Sequence, residues 1–419
     1  MGFFKRCLIT GCFAAVLAAA PVFAAQELRN VMLPIPKEIL NSQKIRVLVV
    51  KPRAEVKISS SAHYEIYDAY GKITQQGEVL PVQVARASAD GILIGDRLYP
   101  GSAVTIRSIE HGIRIGNLGV YGDTVTIRRV SGNKVEVINR IPVDDYLKGV
   151  IPFEANPAWS LEALKAQAVA SRTYAVFKMI ERINEDYDVS SGVYSQVYSG
   201  KKIENPKTNQ AVDDTRGEIL LYKNKVFPGY FHSTCGGRTT GVELVWRVKP
   251  VEPLKGVECK FCAKSPHYKW ETVFSPKEIK EKMAAKGGIP VQTVKSIRLG
   301  KIDASGRAHE IAVGSDWMRK SVDADAFRVW MGPEKLKSNL ITRVSVTEDG
   351  KFRFRGRGWG HGVGICQYGM KHLGELGYGY REILSYYYPG ASIIKLQSSV
   401  RESKSAGGLM GMIEDALGG

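Results

Sequence analysis

Ile141–Ile180 reads IPVDDYLKGVIPFEANPAWSLEALKAQAVASRTYAVFKMI. It sets a single acid, Glu154, in a loop bounded by Pro152 and Pro157, and then starts a helix. Ser160 suits the N-cap and Glu162 the first turn, and the Ala/Leu-rich run that follows continues for about five turns. Wound at ~100° per residue, Leu161, Leu164, Ala168, Ala175 and Val176 fall in one apolar sector. Lys165 and Arg172 stand two turns apart, within ~40° of Leu161. Two cations on a face that should be buried need partners, because unpaired buried charge is costly. Either they form structural ion pairs with Asp144, Asp145 or Glu154, or they line a cleft into which Glu154 also points. Periodicity alone does not choose between these.

Upstream, from Ile45 to about Arg140, the chain reads as short strands. IRVLVV, AEVKIS, YEIYDA, GILIG, AVTIRSI, GIRIG, DTVTIRRV and KVEVINRI alternate or are β-branched, with Gly, Asn or Asp between many of them. Asp68-Ala69-Tyr70-Gly71 and Ser131-Gly132-Asn133 read as hairpin turns. This region holds no acid pair, His cluster or phosphate loop. Downstream, Ser275–Lys286 reads as a helix with Ser275 as N-cap and Pro276 at its first position. Residues 294–299, 309–313 and 341–347 read as strands, and a helix from Gly379 to Tyr388 stops at Pro389-Gly390. The expected class is α+β, with mixed sheets and a central helix after the acid loop. The expected division is a β-rich region at 25–140, a catalytic domain at 141–397 and a polar, then Gly-rich, tail at 398–419.

Met1–Ala24 places Lys5 and Arg6 before an apolar run and ends Val22-Phe23-Ala24, the pattern of a cleaved secretory signal peptide. The remaining chain has no apolar run long enough for a transmembrane helix, so an exported protein is expected, in the periplasm, wall or medium. The formal charge of +17 falls to +15 when Lys5 and Arg6 leave. A basic exported chain suits an anionic polymer or lipid surface, and export argues against nucleic acid.

Four blocks in this order, spread over about 250 residues, carry a resemblance: PVDDYLKGVIPFEANPAWSLEALKAQAVASRTYA, Tyr194–Gly200 (YSQVYSG), Phe231–Arg238 (FHSTCGGR) and Gly356–Gly390 (GRGWGHGVGICQYGM…YREILSYYYPG). Together they resemble the SpoIID/LytB family, the stage II sporulation protein D and amidase-enhancer group. The resemblance implies a lytic transglycosylase that cuts peptidoglycan glycan strands, or else a non-catalytic wall-binding protein that enhances a cell-wall amidase. It aligns Glu154 with the family's catalytic acid, and Lys165 and Arg172 with its basic helix positions, where they are expected to bind substrate through sugar hydroxyls, the acetamido oxygen or the lactyl carboxylate. One acid suffices for a transglycosylase, whereas a hydrolase normally uses two. Acting near neutral pH, Glu154 needs a raised pKa, from burial against groups such as Phe153 and Trp159.

Tyr194 and Gln196 are further candidates to contact substrate, the ring by stacking and the amide by reading an acetamido group. Ser233 lies in a loop whose Gly236 and Gly237 allow close backbone approach to a ligand or another strand. GRGWGHGVGICQY fits neither phosphate-loop pattern. By resemblance it forms the other wall of the cleft and offers His361, Gln367 and Tyr368 to the substrate. Outside the leader, four cysteines remain. Cys235 with the Cys259-x-x-Cys262 pair and His267 has the composition of a structural Cys3His zinc site, with His232 or Cys366 as substitutes. Two disulfides, Cys235–Cys366 and Cys259–Cys262, are the competing reading in an oxidising compartment. No cofactor is required for the chemistry itself.

Overall fold

The computed structural model describes residues 29–192, 196–315 and 318–396. The expected signal peptide, the tail and Tyr194 lie outside these residues. The described chain is mixed, 26% helical and 36% strand. Among the described residues, no helix is long and apolar enough to cross a membrane.

The N-terminal strands join into one sheet. Its order runs Val189–Ser190, Lys44–Arg53, Lys134–Pro142, Gly119–Val130, Ala103–Ile115, Glu55–Ser60, Leu80–Ala87, Gly91–Ile94, Arg97–Pro100, with the hairpin Tyr64–Tyr67/Ile73–Gly77 branching from Ala103–Ile115. Neighbours are antiparallel except Val189–Ser190, which lies parallel to Val47 and Leu48. Alternate residues such as Val104, Ile106, Val125 and Ile127 are wholly buried, as a one-sided sheet requires. Two expected strands, AVTIRSI and GIRIG, are one long strand interrupted between Ser108 and Ile113, where Gly112 takes a φ of +76°. Three strands were not legible. Ile73–Gly77 is ITQQG, mostly polar, while Leu80–Ala87 and Arg97–Pro100 each carry a proline. The Asp68 turn is present: Asp68 Oδ1 accepts from the Tyr70 and Lys72 N–H groups at 2.9 Å.

The last long strand, Lys134–Pro142, is pinned to Lys44–Arg53 from Pro142 back to Val135. It delivers the chain directly into two short helices, Val143–Lys148 and Ile151–Glu154, and then the long helix Leu161–Glu181. Ser160 caps that helix by accepting from Ala163 N–H at 3.3 Å. The helix is buried nearly all round, which its Ala-rich composition permits. Helices Pro206–Asp214, Gln367–Glu375 and Tyr380–Tyr387 and strand Glu218–Tyr222 pack against it.

A second hydrophobic core, separate from the first, lies within residues 270–354 and is built on Phe274, Ile279, Met283, Ile311, Phe327 and Phe354. Two three-stranded antiparallel sheets frame it, Lys269–Phe274/Phe352–Arg357/Ile341–Val346 and Ser296–Leu299/Glu310–Gly314/Arg319–Asp323. Helix Pro276–Gly287 begins as expected, with Ser275 Oγ accepting from Glu278 N–H at 3.0 Å.

Candidate active site

Glu154 does not sit in a loop but ends the one-turn helix Ile151–Glu154, whose first turn holds Pro152. Its side chain is half-buried and accepts a hydrogen bond from Val197 N–H. Burial pushes its carboxyl up to about 7; the Val197 N–H pulls the other way and does not win. Among the described residues no second carboxylate is a cause of that shift.

A chain of buried amides stands behind this acid. Gln367 Nε2 donates to the Glu154 carbonyl oxygen at 2.9 Å and to Gln167 Oε1 at 3.3 Å. Gln167 Nε2 donates to Ser171 Oγ at 3.1 Å, Gln196 Nε2 to the Ser171 carbonyl at 3.5 Å, and Tyr146 Oη to Gln196 Oε1 at 3.2 Å. Every one of these side chains is buried. Gln196 and Gln367 are therefore placed behind the acid, not open to a ligand.

The long helix presents Gln167 and Ser171 to this network, and Lys165 and Arg172 stand about 160° and 140° round from Gln167. Arg172, 1% exposed, pairs through Nε with Asp144 at 2.7 Å. Its remaining nitrogens donate to Thr215 Oγ1 and to the carbonyls of Glu218 and Val212. Lys165 is held by Glu162 and Asp214, each at 3.1 Å. The structural ion pair is the alternative realised, and neither cation faces Glu154. Arg172 instead borders a cavity of about 530 Å³ lined also by Ile39, Asp144, Arg216 and Lys395, on the far side of the helix.

The glycine-rich stretch approaches a strand. Ile365-Cys366 pairs in parallel with Phe231-His232. A Cβ on Gly364 would lie 2.0 Å from the Tyr230 carbonyl oxygen, and one on Gly358 2.5 Å from that of Thr234. Both glycines also hold φ near +70°. His361 belongs to this packing. Its Nε2–H donates to the Phe231 carbonyl at 3.0 Å and its Nδ1 accepts from Val363 N–H at 3.1 Å. Burial drives its pKa down to about 3, so it is a neutral pin with both nitrogens engaged. Its expected role against a substrate is corrected on that ground. Ser233 is half-buried, with Oγ 3.4 Å from Thr234 Oγ1.

Tyr368 is half-buried and begins a row of rings that sequence reading did not assemble. Tyr368 meets Trp159 edge-on at 5.8 Å and His267 at 5.8 Å; His267 meets Trp359 at 4.4 Å; and Lys337 Nζ lies 5.0 Å over the Trp359 ring. Trp159 is five residues from the acid, and Tyr368 follows the glutamine that holds the acid's carbonyl. Only the presence of aromatic residues in separate blocks hinted at this wall; their adjacency depends on the fold.

The four cysteines meet. The Sγ atoms of Cys235, Cys259, Cys262 and Cys366 all lie within 4.8 Å of one another, and all four residues are buried. The fourth member of the cluster is Cys366. His267, expected as the ligand, is turned instead into the ring row.

A family model described as stage II sporulation protein (SpoIID) matches residues 131–222, and one described as a domain of unknown function (DUF8618) matches 258–364. An uncharacterized protein of Brachyspira hyodysenteriae is 33% identical over 69% of this chain and 82% of its own length. Stage II sporulation protein D of Bacillus amyloliquefaciens is 30% identical over 66% of this chain and 80% of its own. The amidase enhancer of Bacillus subtilis is 26% identical over 86% of this chain and 59% of its own. The chain belongs to the SpoIID/LytB family.

Proposed function

We propose that this protein is an exported lytic transglycosylase that cleaves the MurNAc–GlcNAc strand of peptidoglycan, with Glu154 as general acid and then general base. The observation that carries this reading is a single half-buried carboxyl group held near pKa 7 beside an aromatic wall, with no carboxylate partner among its described perturbers. Protonated Glu154 gives its proton to the glycosidic oxygen as the bond to C1 of N-acetylmuramic acid breaks. The carboxylate left behind takes the proton of that sugar's C6 hydroxyl, and O6 closes on C1 as a 1,6-anhydro ring. Glu154 ends protonated, and no water is consumed. A retaining or inverting hydrolase needs a second carboxylate, and the acids near Glu154 in sequence are each paired elsewhere: Asp144 with Arg172, Asp145 with Lys148 and Glu162 with Lys165.

Intact strands, with and without stem peptides, incubated with the whole protein should yield 1,6-anhydro-MurNAc ends by mass spectrometry. Reducing ends would instead mean hydrolysis. The likeness to an amidase enhancer supports a second reading, in which the ring row binds wall polymer and the partner is an N-acetylmuramoyl-L-alanine amidase. Strands left uncut, together with faster release of stem peptides when an amidase is added, would favour it.

Stacking on the ring row contributes to binding more than to bond cleavage. Trp359→Ala, which removes a half-buried indole and its Lys337 contact, should raise KM for long strands about 5- to 30-fold with kcat changed less than threefold. A steady-state comparison in which kcat falls and KM does not would place Trp359 with the reacting atoms instead.

A further inference from the structure

The four thiols sit at a particular place in the chain. Cys259 and Cys262 lie at the start of the segment 258–364, Cys366 lies just past its end, and with Cys235 all four are buried in the main core. Both chain passages into the second core therefore converge on one point.

The local chemistry fits a metal better than sulfur–sulfur bonds. A tetrahedral zinc with Zn–S near ~2.3 Å sets its sulfurs roughly 3.8 Å apart. Cys235 and Cys262 Sγ are 3.5 Å apart, and all four sulfurs fall within a single cluster where two separate bonded pairs would need only pairwise proximity. Backbone donors are aimed at the sulfurs, Cys235 N–H at Cys366 Sγ (3.2 Å) and Gly237 N–H at Cys235 Sγ (3.4 Å), and Tyr387 Oη lies 3.2 Å from Cys259 Sγ. Such outer contacts orient and stabilise metal-bound thiolates.

Arg307 is the independent observation. It comes from the second core's segment, is 2% exposed, and donates to the carbonyls of Cys235 (2.6 Å) and Arg238 (2.9 Å) and to Ser305 Oγ (2.9 Å), while its Nε has no partner. Among the described residues its guanidinium meets no carboxylate in an ion pair. Beside neutral disulfides this buried cation would have only Asp303, reached through Ser305 Oγ, to offset it. Beside a zinc tetrathiolate, which carries two negative charges, it is a counter-ion.

We propose that Cys235, Cys259, Cys262 and Cys366 bind one zinc ion as a structural tetrathiolate. The site clasps the neck of the 258–364 segment to the main core. Four protein sulfurs leave no position for a metal-bound water, so the ion takes no part in bond cleavage. Its reach toward the acid runs through the chain: Cys366 is followed by Gln367, which holds the Glu154 carbonyl, and His267 and Trp359 in the ring row hang from the clasped segment. The assignment stands whatever reaction Glu154 performs.

The test is elemental analysis of the whole chain purified aerobically without added metal. About one zinc per chain is expected, with retention through chelator dialysis reduced at least tenfold by Cys366→Ser and unchanged by His267→Ala. Because Cys366→Ser can fail to fold, wild-type protein exchanged with cobalt is measured as well, where the sulfur-to-cobalt charge-transfer intensity reads the number of thiolates. No zinc together with two disulfides in the intact mass overturns the proposal. So does iron in place of zinc, loss of metal in His267→Ala, or a cobalt spectrum with fewer than four sulfur ligands.

Discussion

Glu154→Gln is expected to lower the release of anhydro ends by about 10²- to 10⁴-fold, the usual contribution of a positioned general acid, while strand binding stays within about threefold. Glutamine keeps the shape of the side chain but has no proton to give. The pH profile carries the same information in wild type. With the acid titrating near 7, turnover should fall as pH rises through that value, without the acid-side decline that an ionised partner base would impose. Stability supplies a readout that activity does not touch. Glu154 is held near 7 in the folded protein and near the ordinary glutamate value of 4.5 when unfolded. Between those values the folded state retains a proton that the unfolded chain loses, so wild-type stability drops as pH rises from 4.5 to 7. The Gln variant lacks that slope and should be the more stable protein at pH 8, by on the order of 2–3 kcal/mol. Urea titrations at pH 5 and pH 8 check it. A variant equally active, or one with the same pH dependence of stability as wild type, would remove Glu154 from the role assigned to it.

Asp144→Ala should destabilise the fold by about 3–5 kcal/mol, the effect of stranding a buried charge. Arg172 has 1% exposure, and its only carboxylate within ion-pair distance among the described residues is Asp144. The remaining contacts, Thr215 Oγ1 and two carbonyls, do not neutralise it. Replacing both partners, Asp144→Leu with Arg172→Met, should cost much less than the single change, since apolar groups of similar volume need no charge partner. The denaturant midpoint at constant m-value measures both. A loss under 1 kcal/mol in Asp144→Ala would show that Arg172 finds another way to be solvated. This pair also holds the short helix Val143–Lys148 to the long one, so its loss loosens the approach to Glu154.

Much of this was legible in the chain. The β-rich region, the capped helix after Glu154 and the Ser275 cap follow from local pattern, because each is decided by residues close in sequence. The acid itself rested on family likeness, since one loop carboxylate has no local mark of function. The polar face of the long helix was misread for a physical reason. Lys165 and Arg172 are the conspicuous charges, but charge draws partners, and each is satisfied away from the acid by residues from other elements. Gln167 and Ser171, four apart in an Ala-rich run, were the quieter signal: buried amides and hydroxyls need hydrogen bonds and so mark a network. Cys366 against His267 was beyond sequence, because over a hundred residues separate Cys262 from Cys366 and only the folded second core brings them together.

That convergence has a consequence for how so long a segment is accommodated. Closing a flexible loop of about a hundred residues exacts an entropic penalty that grows with its logarithm. Here the segment folds around its own core and returns its ends to within a few ångströms, so the main core meets a tethered body with nearly coincident ends and not a long floppy excursion. Seen from the main core, the detour is as short as a hairpin. Its length can change without altering the spacing that the strand Phe231-His232 and its partner Ile365-Cys366 must span.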